Sequence, residues 1–170
     1  MDKIIGIKYK FNPRSYERND PPCRKATKKY FYDIGMRDKK IPIILLDNPD
    51  KYGPDLMLED GSEYFEVYHC RTWKNINTTW PYRVYNLPQK KGNDAKRHKC
   101  NQVGIDLNYT MIALVSWQDT RAWVMNNEAV EIPNKRILNG EYMYEIPGKY
   151  VESYPLKVEI KFDLDNFVQY

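Results

Sequence analysis

The sequence has few cysteines and no long apolar run, and each shortage argues against a class of protein. Its three cysteines, Cys23, Cys70 and Cys100, lack a framework spacing, so we expect reduced thiols in a cytosol rather than disulfides. The opening stretch MDKIIGIKYKF interrupts a short apolar run with lysine, and we expect neither a signal peptide nor a membrane anchor from it. A cytoplasmic protein without a membrane partner is predicted.

Several catalytic and metal-binding motifs are also absent from the sequence. It contains no G-x-S-x-G, P-loop or G-x-G-x-x-G, so serine hydrolases and the common nucleotide-binding folds have no support. His69, Cys70, His98 and Cys100 lack the paired C-x-x-C spacing of structural zinc sites. Cys70 and Cys100 are better explained as small core residues on adjacent strands.

The charges are nearly balanced: the sequence contains 27 Lys and Arg and 23 Asp and Glu, which gives a net charge of +4. This excess is too small to indicate nucleic acid by itself. Two local runs, CRKATKKY (23–30) and QKKGNDAKRHK (89–99), could follow a phosphate backbone. A solvated face or loop is the alternative for both runs.

The length of 170 residues predicts a single domain over residues 1–170. Pattern and turn residues predict a helix that starts near Pro22, continues to about Ile34 and closes at Gly35. The apolar run 41–47 predicts a short buried strand, although a helix fragment fits it as well. Residues 55–58 and 63–70 flank the Gly-containing turn EDGS and predict a hairpin.

Further strands are predicted on both sides of the turn NYT and towards the end of the sequence. They comprise residues 101–107, 111–117, 141–147 and 157–164. Many strands with few helices predict an α+β domain with a central mixed or mostly antiparallel sheet, flanked by one or two helices.

The hairpin carries the residues of greatest chemical interest. In a strand, residues two apart share a face, so Glu66 and Tyr68 project together, whereas Val67 and His69 face the other way. Asp55 opens the neighbouring strand. One carboxylate from each strand and a backbone carbonyl near Val67 would give a hard divalent cation three oxygen ligands.

Pro54-Asp55 followed by Glu66-Val67-Tyr68 resembles the motif of the PD-(D/E)XK nuclease superfamily over roughly residues 23–117. The resemblance implies a restriction-endonuclease-like core that cleaves DNA phosphodiester bonds with Mg²⁺ or Mn²⁺ bound at Asp55, Glu66 and Val67. The order of segments after the hairpin also looks like that of small phage-encoded proteins of this superfamily, which implies a location in the host cytoplasm.

Tyr68 stands where this superfamily has its lysine. A tyrosine supplies no permanent cation near neutral pH, so Tyr68 would support a water or phosphate. The missing cation would then come from Lys90, Lys91 or Arg71.

The predicted nucleic-acid contacts combine basic residues with an indole that stacks on bases. They are Arg71, Trp73, Lys90, Lys91, Lys96, Arg97 and Lys99. A packing role over the hairpin is the alternative for Trp73.

Three other interpretations remain open from the sequence. In the simplest interpretation, Asp55 and Glu66 are surface acids of a half-exposed hairpin. A second is a catalytically inactive protein on the same scaffold that binds nucleic acid or inhibits a host enzyme, which the tyrosine at position 68 favours. A third is a virion or assembly component, for which the high tyrosine content is permissive.

Overall fold

The computed structural model describes residues 13–69, 80, 82–132 and 141–159, with the backbone alone at 13–20 and 141. Three α-helices lie in these ranges: α1 (Pro13–Lys39), α2 (Gln89–His98) and α3 (Trp117–Asn126). Within the same ranges, none of the helices is both long enough and apolar enough to cross a bilayer.

Nine strands in the described ranges form two sheets. They are β1 (Leu45–Asp47), β2 (Leu56–Leu58), β3 (Tyr64–His69), β4 (Val84–Pro88), β5 (Cys100–Asp106), β6 (Met111–Val115), β7 (Val130–Ile132), β8 (Glu141–Pro147) and β9 (Glu152–Pro155). The larger sheet has the order β1-β2-β3-β5-β6-β9, and the smaller has the order β4-β8-β7. The predicted α+β class is confirmed.

The larger sheet is mixed because β3 and β5 are parallel, whereas its other neighbouring strands are antiparallel. Parallel neighbours require a crossover, and this one passes through β4 and α2. The register places Glu66 opposite Gln102, and the pairing of Leu56 with Phe65 brings Asp55 to the level of Glu66. The crossover therefore delivers α2 to the strands that carry the two acids.

Two hydrophobic clusters lie on opposite faces of the larger sheet. Residues of β5 such as Val103 and Ile105 join Phe65 and Val67 in the cluster that packs against α1. Met111, Ala113 and Val115 of β6 belong to the other cluster, with residues of α3 and the smaller sheet. This division follows the two-residue period of strands, and it puts Glu66 and Tyr68 on the face away from α1.

The predicted hairpin is confirmed as β2 and β3, joined by a turn in which Gly61 adopts a φ of +74°. The strands predicted at 101–107 and 111–117 are confirmed as β5 and β6 with slightly different ends, and the strand predicted at 141–147 is confirmed as β8 with the same ends. Of the run 41–47, only Leu45–Asp47 forms a strand.

Both predicted ends of the first helix are wrong. The helix begins at Pro13 and contains Pro21 and Pro22, although a proline inside a helix removes a backbone hydrogen bond and crowds the carbonyl four residues before it. It also continues past Gly35 to Lys39. Gly35 does not end the helix; it lets the backbone of residues 41–43 pack closely against α1. A Cβ at Gly35 would lie 2.4 Å from the Ile41 carbonyl oxygen and 2.5 Å from the Ile43 nitrogen.

Other predictions differ from the structure in the number and position of elements. The limit of one or two helices is wrong, because α3 was not foreseen and the run 89–99 is mostly α2. Residues 157–159 form no strand, and residues 160–164 of that predicted strand lie outside the described residues.

Substitution of Gly35 by alanine should destabilise the protein, although alanine normally favours a helix interior by about 1 kcal/mol. The added methyl would collide with the backbone of the segment 41–43, which cannot move as a side chain does. We expect a net loss of about 1–3 kcal/mol, measured by urea denaturation. Lys39→Ala, at an exposed position of the same helix, is the control, and an unchanged midpoint in Gly35→Ala would contradict the proposed contact.

Candidate functional site

Asp55 and Glu66 come together where β2 and β3 begin to separate. Asp55 lies directly before β2, and its Oδ2 accepts a hydrogen bond from the backbone nitrogen of Val67 at 2.8 Å. This bond turns the Asp55 carboxylate towards β3, which carries Glu66. The structure thus brings together the two acids that the sequence motif singled out.

Lys91 connects the two carboxylates. It is the third residue of α2, and its Nζ forms a short contact with Glu66 Oε2 and lies 3.6 Å from Asp55 Oδ2. The Lys91 side chain is 22% exposed, whereas that of Glu66 is 6% exposed. Lys90, the neighbouring candidate for this role, is exposed. Of the two adjacent lysines, Lys91 is therefore the one at the carboxylates.

A second cation reaches Asp55 from α1. Arg24 NH2 lies 2.9 Å from Asp55 Oδ1, so both oxygens of this carboxylate accept contacts from the protein. The sequence interpretation included Arg24 only within the basic run 23–30. Its partner could not be identified there, since the two residues are distant in sequence and meet through the packing of α1 on the sheet.

Burial of Glu66 raises the pKa of its carboxyl from 4.5 to about 7. Desolvation is the main cause, the Lys91 ammonium lowers the pKa, and the charge of Asp55 raises it. Buried ion pairs seldom add much stability over apolar residues of the same size. Perturbed carboxyls beside a specific charge are concentrated at functional sites, so the arrangement favours function over the interpretation as exposed surface acids.

The placement of Lys91 depends on close docking of α2. A Cβ at Gly92 would lie 2.4 Å from the ring of Tyr144, so only glycine allows this approach. Lys96 Nζ donates to the Tyr144 hydroxyl at 2.9 Å and lies 5.2 Å from the centre of its ring. Lys96 thus holds α2 against β8, and its predicted role in nucleic-acid binding stays a prediction.

Tyr68 lies on the same face as Glu66 but belongs to the packed interior. Its ring packs edge-on against Tyr85 with the centroids 6.0 Å apart, and its buried hydroxyl has no hydrogen-bond partner in the described part of the chain. Gln102, opposite Glu66 on β5, is fully buried, whereas Tyr68 is half-buried. The predicted support of a water or phosphate by Tyr68 stays a prediction.

The remaining predicted nucleic-acid contacts are spread along α2 and its end. Lys99 and Arg97 are exposed, and Arg97 NH2 lies 3.3 Å from Asp94 Oδ1. Arg71 and Trp73 lie outside the described residues. The predicted contacts of these cations with backbone phosphates stay predictions, and Lys96 additionally contacts Tyr144.

The oxygen atoms at the site suit a hard divalent cation. The Val67 N–H points to Asp55, and because the N–H and C=O of a strand residue point to the same side, its carbonyl faces that side too. Asp55, Glu66 and the Val67 carbonyl would supply three oxygens, with waters for the rest. In the described ranges, no three His, Cys, Asp or Glu side chains form a metal-binding group.

The chain matches no family model, and no curated protein or solved structure is significantly similar to it.

Glu66 should make the stability of the native protein fall as pH rises from about 4.5 to about 7. The folded state keeps a proton on Glu66 in this range while the unfolded state releases it, so higher pH favours unfolding. Glu66→Gln removes this titration. Relative to the native protein, its free energy of unfolding should therefore rise by up to about 3 kcal/mol between pH 5 and pH 8.

Urea denaturation at both pH values measures this difference. Glu63→Gln is the control, because Glu63 is exposed and directly precedes β3. Its stability should change with pH as that of the native protein does. An equal pH dependence in Glu66→Gln and the native protein would show that Glu66 is ionised in the folded state throughout this range.

Proposed function

We propose that this protein is a metal-dependent nuclease acting on DNA phosphodiester bonds, with a restriction-endonuclease-like core. The observation that carries the proposal is the contact of Lys91 with Glu66 and Asp55. It supplies, from a helix, the cation that the motif lacks at Tyr68. The order of a helix, three antiparallel strands and, after β4 of the smaller sheet, a helix and a parallel strand supports the proposed core.

Asp55, Glu66 and the Val67 carbonyl would hold Mg²⁺ or Mn²⁺. When bound, such an ion activates a water and stabilises the charge that develops on an attacked phosphate. Arg24 fixes Asp55 through Oδ1, and the Val67 nitrogen fixes it through Oδ2, so the carboxylate has a defined orientation towards Glu66.

Lys91 would place a positive charge beside the reacting phosphate. A preorganised cation in a water-poor site stabilises developing negative charge more strongly than one in water. The exposed Lys90, Arg97 and Lys99 on or just after α2 would contact neighbouring phosphates of the backbone. In this proposal, α2 contributes a residue to the reaction site and also binds the neighbouring part of the DNA backbone.

One observation favours the inactive alternative on the same scaffold. Both Asp55 oxygens already accept contacts from Arg24 and Val67, and Lys91 neutralises Glu66. This network satisfies the carboxylates without a metal ion. The same contacts of Asp55 and Glu66 would suit a protein that binds DNA through α2 and performs no hydrolysis.

Cleavage assays on plasmid and single-stranded DNA with Mg²⁺ or Mn²⁺ test the proposal. The native protein should cleave, Asp55→Asn should abolish cleavage, and Lys91→Met should slow it by at least about 100-fold because a charge at the reacting phosphate is lost. Lys39→Met, at the exposed end of α1, removes one positive charge far from the proposed roles and should retain activity.

The inactive alternative gives a different pattern in the same samples. DNA binding without cleavage by the native protein in either metal would overturn the nuclease and support the binding protein. In that case Lys90→Met combined with Lys99→Met should weaken binding and reduce its salt dependence, while Asp55→Asn should change binding little.

A further inference from the structure

We propose that Lys91 competes with the divalent cation for the carboxylates and thereby couples metal binding to phosphate binding. Its ammonium lies between Glu66 and Asp55, where a divalent cation would be held. A metal ion must displace the ammonium, and a phosphate of the nucleic acid then receives it. This inference rests on the metal site of the proposed function but not on hydrolysis.

The geometry leaves no room for both cations in their present contacts. Lys91 Nζ is in direct contact with Glu66 Oε2 and lies 3.6 Å from Asp55 Oδ2. A magnesium ion needs oxygens at about 2.0–2.1 Å, so it would share the same oxygen atoms. Two positive charges this close in a largely buried site repel each other strongly, and the ammonium has to leave.

Only the end of the Lys91 side chain needs to move. The helix itself is held by the contact between Gly92 and Tyr144 and by the bond from Lys96 to the Tyr144 hydroxyl. A lysine side chain has a flexible four-carbon stem, and that of Lys91 is partly exposed. Its ammonium can therefore swing from the carboxylates to a phosphate while α2 stays in place.

Arg24 does not compete in the same way. It contacts Asp55 through Oδ1, whereas the recorded contact of Lys91 with Asp55 is at Oδ2, and no ion pair joins Arg24 to Glu66 in the described part of the chain. A metal ion bound through Glu66 and Asp55 Oδ2 leaves the Arg24 contact intact. Displacement is thus specific to Lys91.

Coupling follows from this exchange. Without a phosphate, metal binding has to break the contacts of Lys91 and leave its charge beside the new ion. With a phosphate present, the ammonium gains a new partner, so the nucleic acid should tighten metal binding. The metal must then tighten nucleic-acid binding by the same factor, because coupling between two binding sites is reciprocal.

Calorimetric titration of the full chain with Ca²⁺, with and without a short DNA duplex, tests the coupling. For the native protein, the duplex should tighten Ca²⁺ binding about 5–150-fold, the usual range for coupled sites, and Ca²⁺ should tighten duplex binding equally. Lys91→Met should bind Ca²⁺ more tightly than the native protein in the absence of DNA, and its coupling factor should be smaller than that of the native protein.

Lys39→Met serves as the matched control and should keep the coupling of the native protein. Thermal denaturation checks that Lys91→Met is folded, and Lys91→Gln replaces it if it is not. Equal Ca²⁺ affinity of the native protein with and without DNA would overturn the inference without any variant. So would a Lys91 variant that binds Ca²⁺ no more tightly than the native protein.

The same samples separate this inference from the proposed hydrolysis. Coupling that is present while Mg²⁺ and Mn²⁺ support no cleavage would retain the exchange and overturn the nuclease. Cleavage without coupling would retain the nuclease and overturn the exchange. Absence of binding for Ca²⁺, Mg²⁺ and Mn²⁺ would overturn both.

Discussion

The contact between the Glu66 carboxylate and the Lys91 ammonium constrains most of the structure around it. Glu66 is nearly inaccessible, and an unpaired buried charge is costly, so the ionised form of Glu66 needs a cation beside it. That cation comes from α2, which lies in the crossover between two parallel strands. The parallel pairing of β3 and β5 and the close docking of α2 are therefore both needed for this carboxylate to stay buried.

The sequence predicted the strands well where their residues alternate or form short apolar runs next to a turn. The hairpin of β2 and β3 and the pair of β5 and β6 are of this kind. It failed at α2, because that helix buries only Gly92 and Ala95 and shows no apolar period. Its position against β8 depends on contacts with Tyr144, which lies 48 residues after Lys96, and no local pattern indicates such a contact.

The same distinction applies to the candidate site. Asp55 and Glu66 lie in one local hairpin, and their spacing was sufficient to select them. The choice between Lys90 and Lys91 was beyond the sequence, because adjacent helix residues point about 100° apart and only the docked orientation of α2 decides which one faces the acids. Arg24 was missed as a partner of Asp55 for a related reason, since α1 reaches the sheet through tertiary packing.

A cation delivered from a helix differs physically from one fixed on the strand beside the acids. On β3, position 68 is a packed position, where Tyr68 contacts Tyr85, so that strand contributes its ring to the core. Lys91 lies on α2, which packs closely against Tyr144 at Gly92. Its side chain is partly exposed to solvent. In the proposed function, the charge that stabilises the carboxylates in the protein interior would also exchange partners. The ion network and the metal site would then be two states of the same side chains, and the affinity of the carboxylates for a divalent cation relative to the ammonium would decide which state prevails.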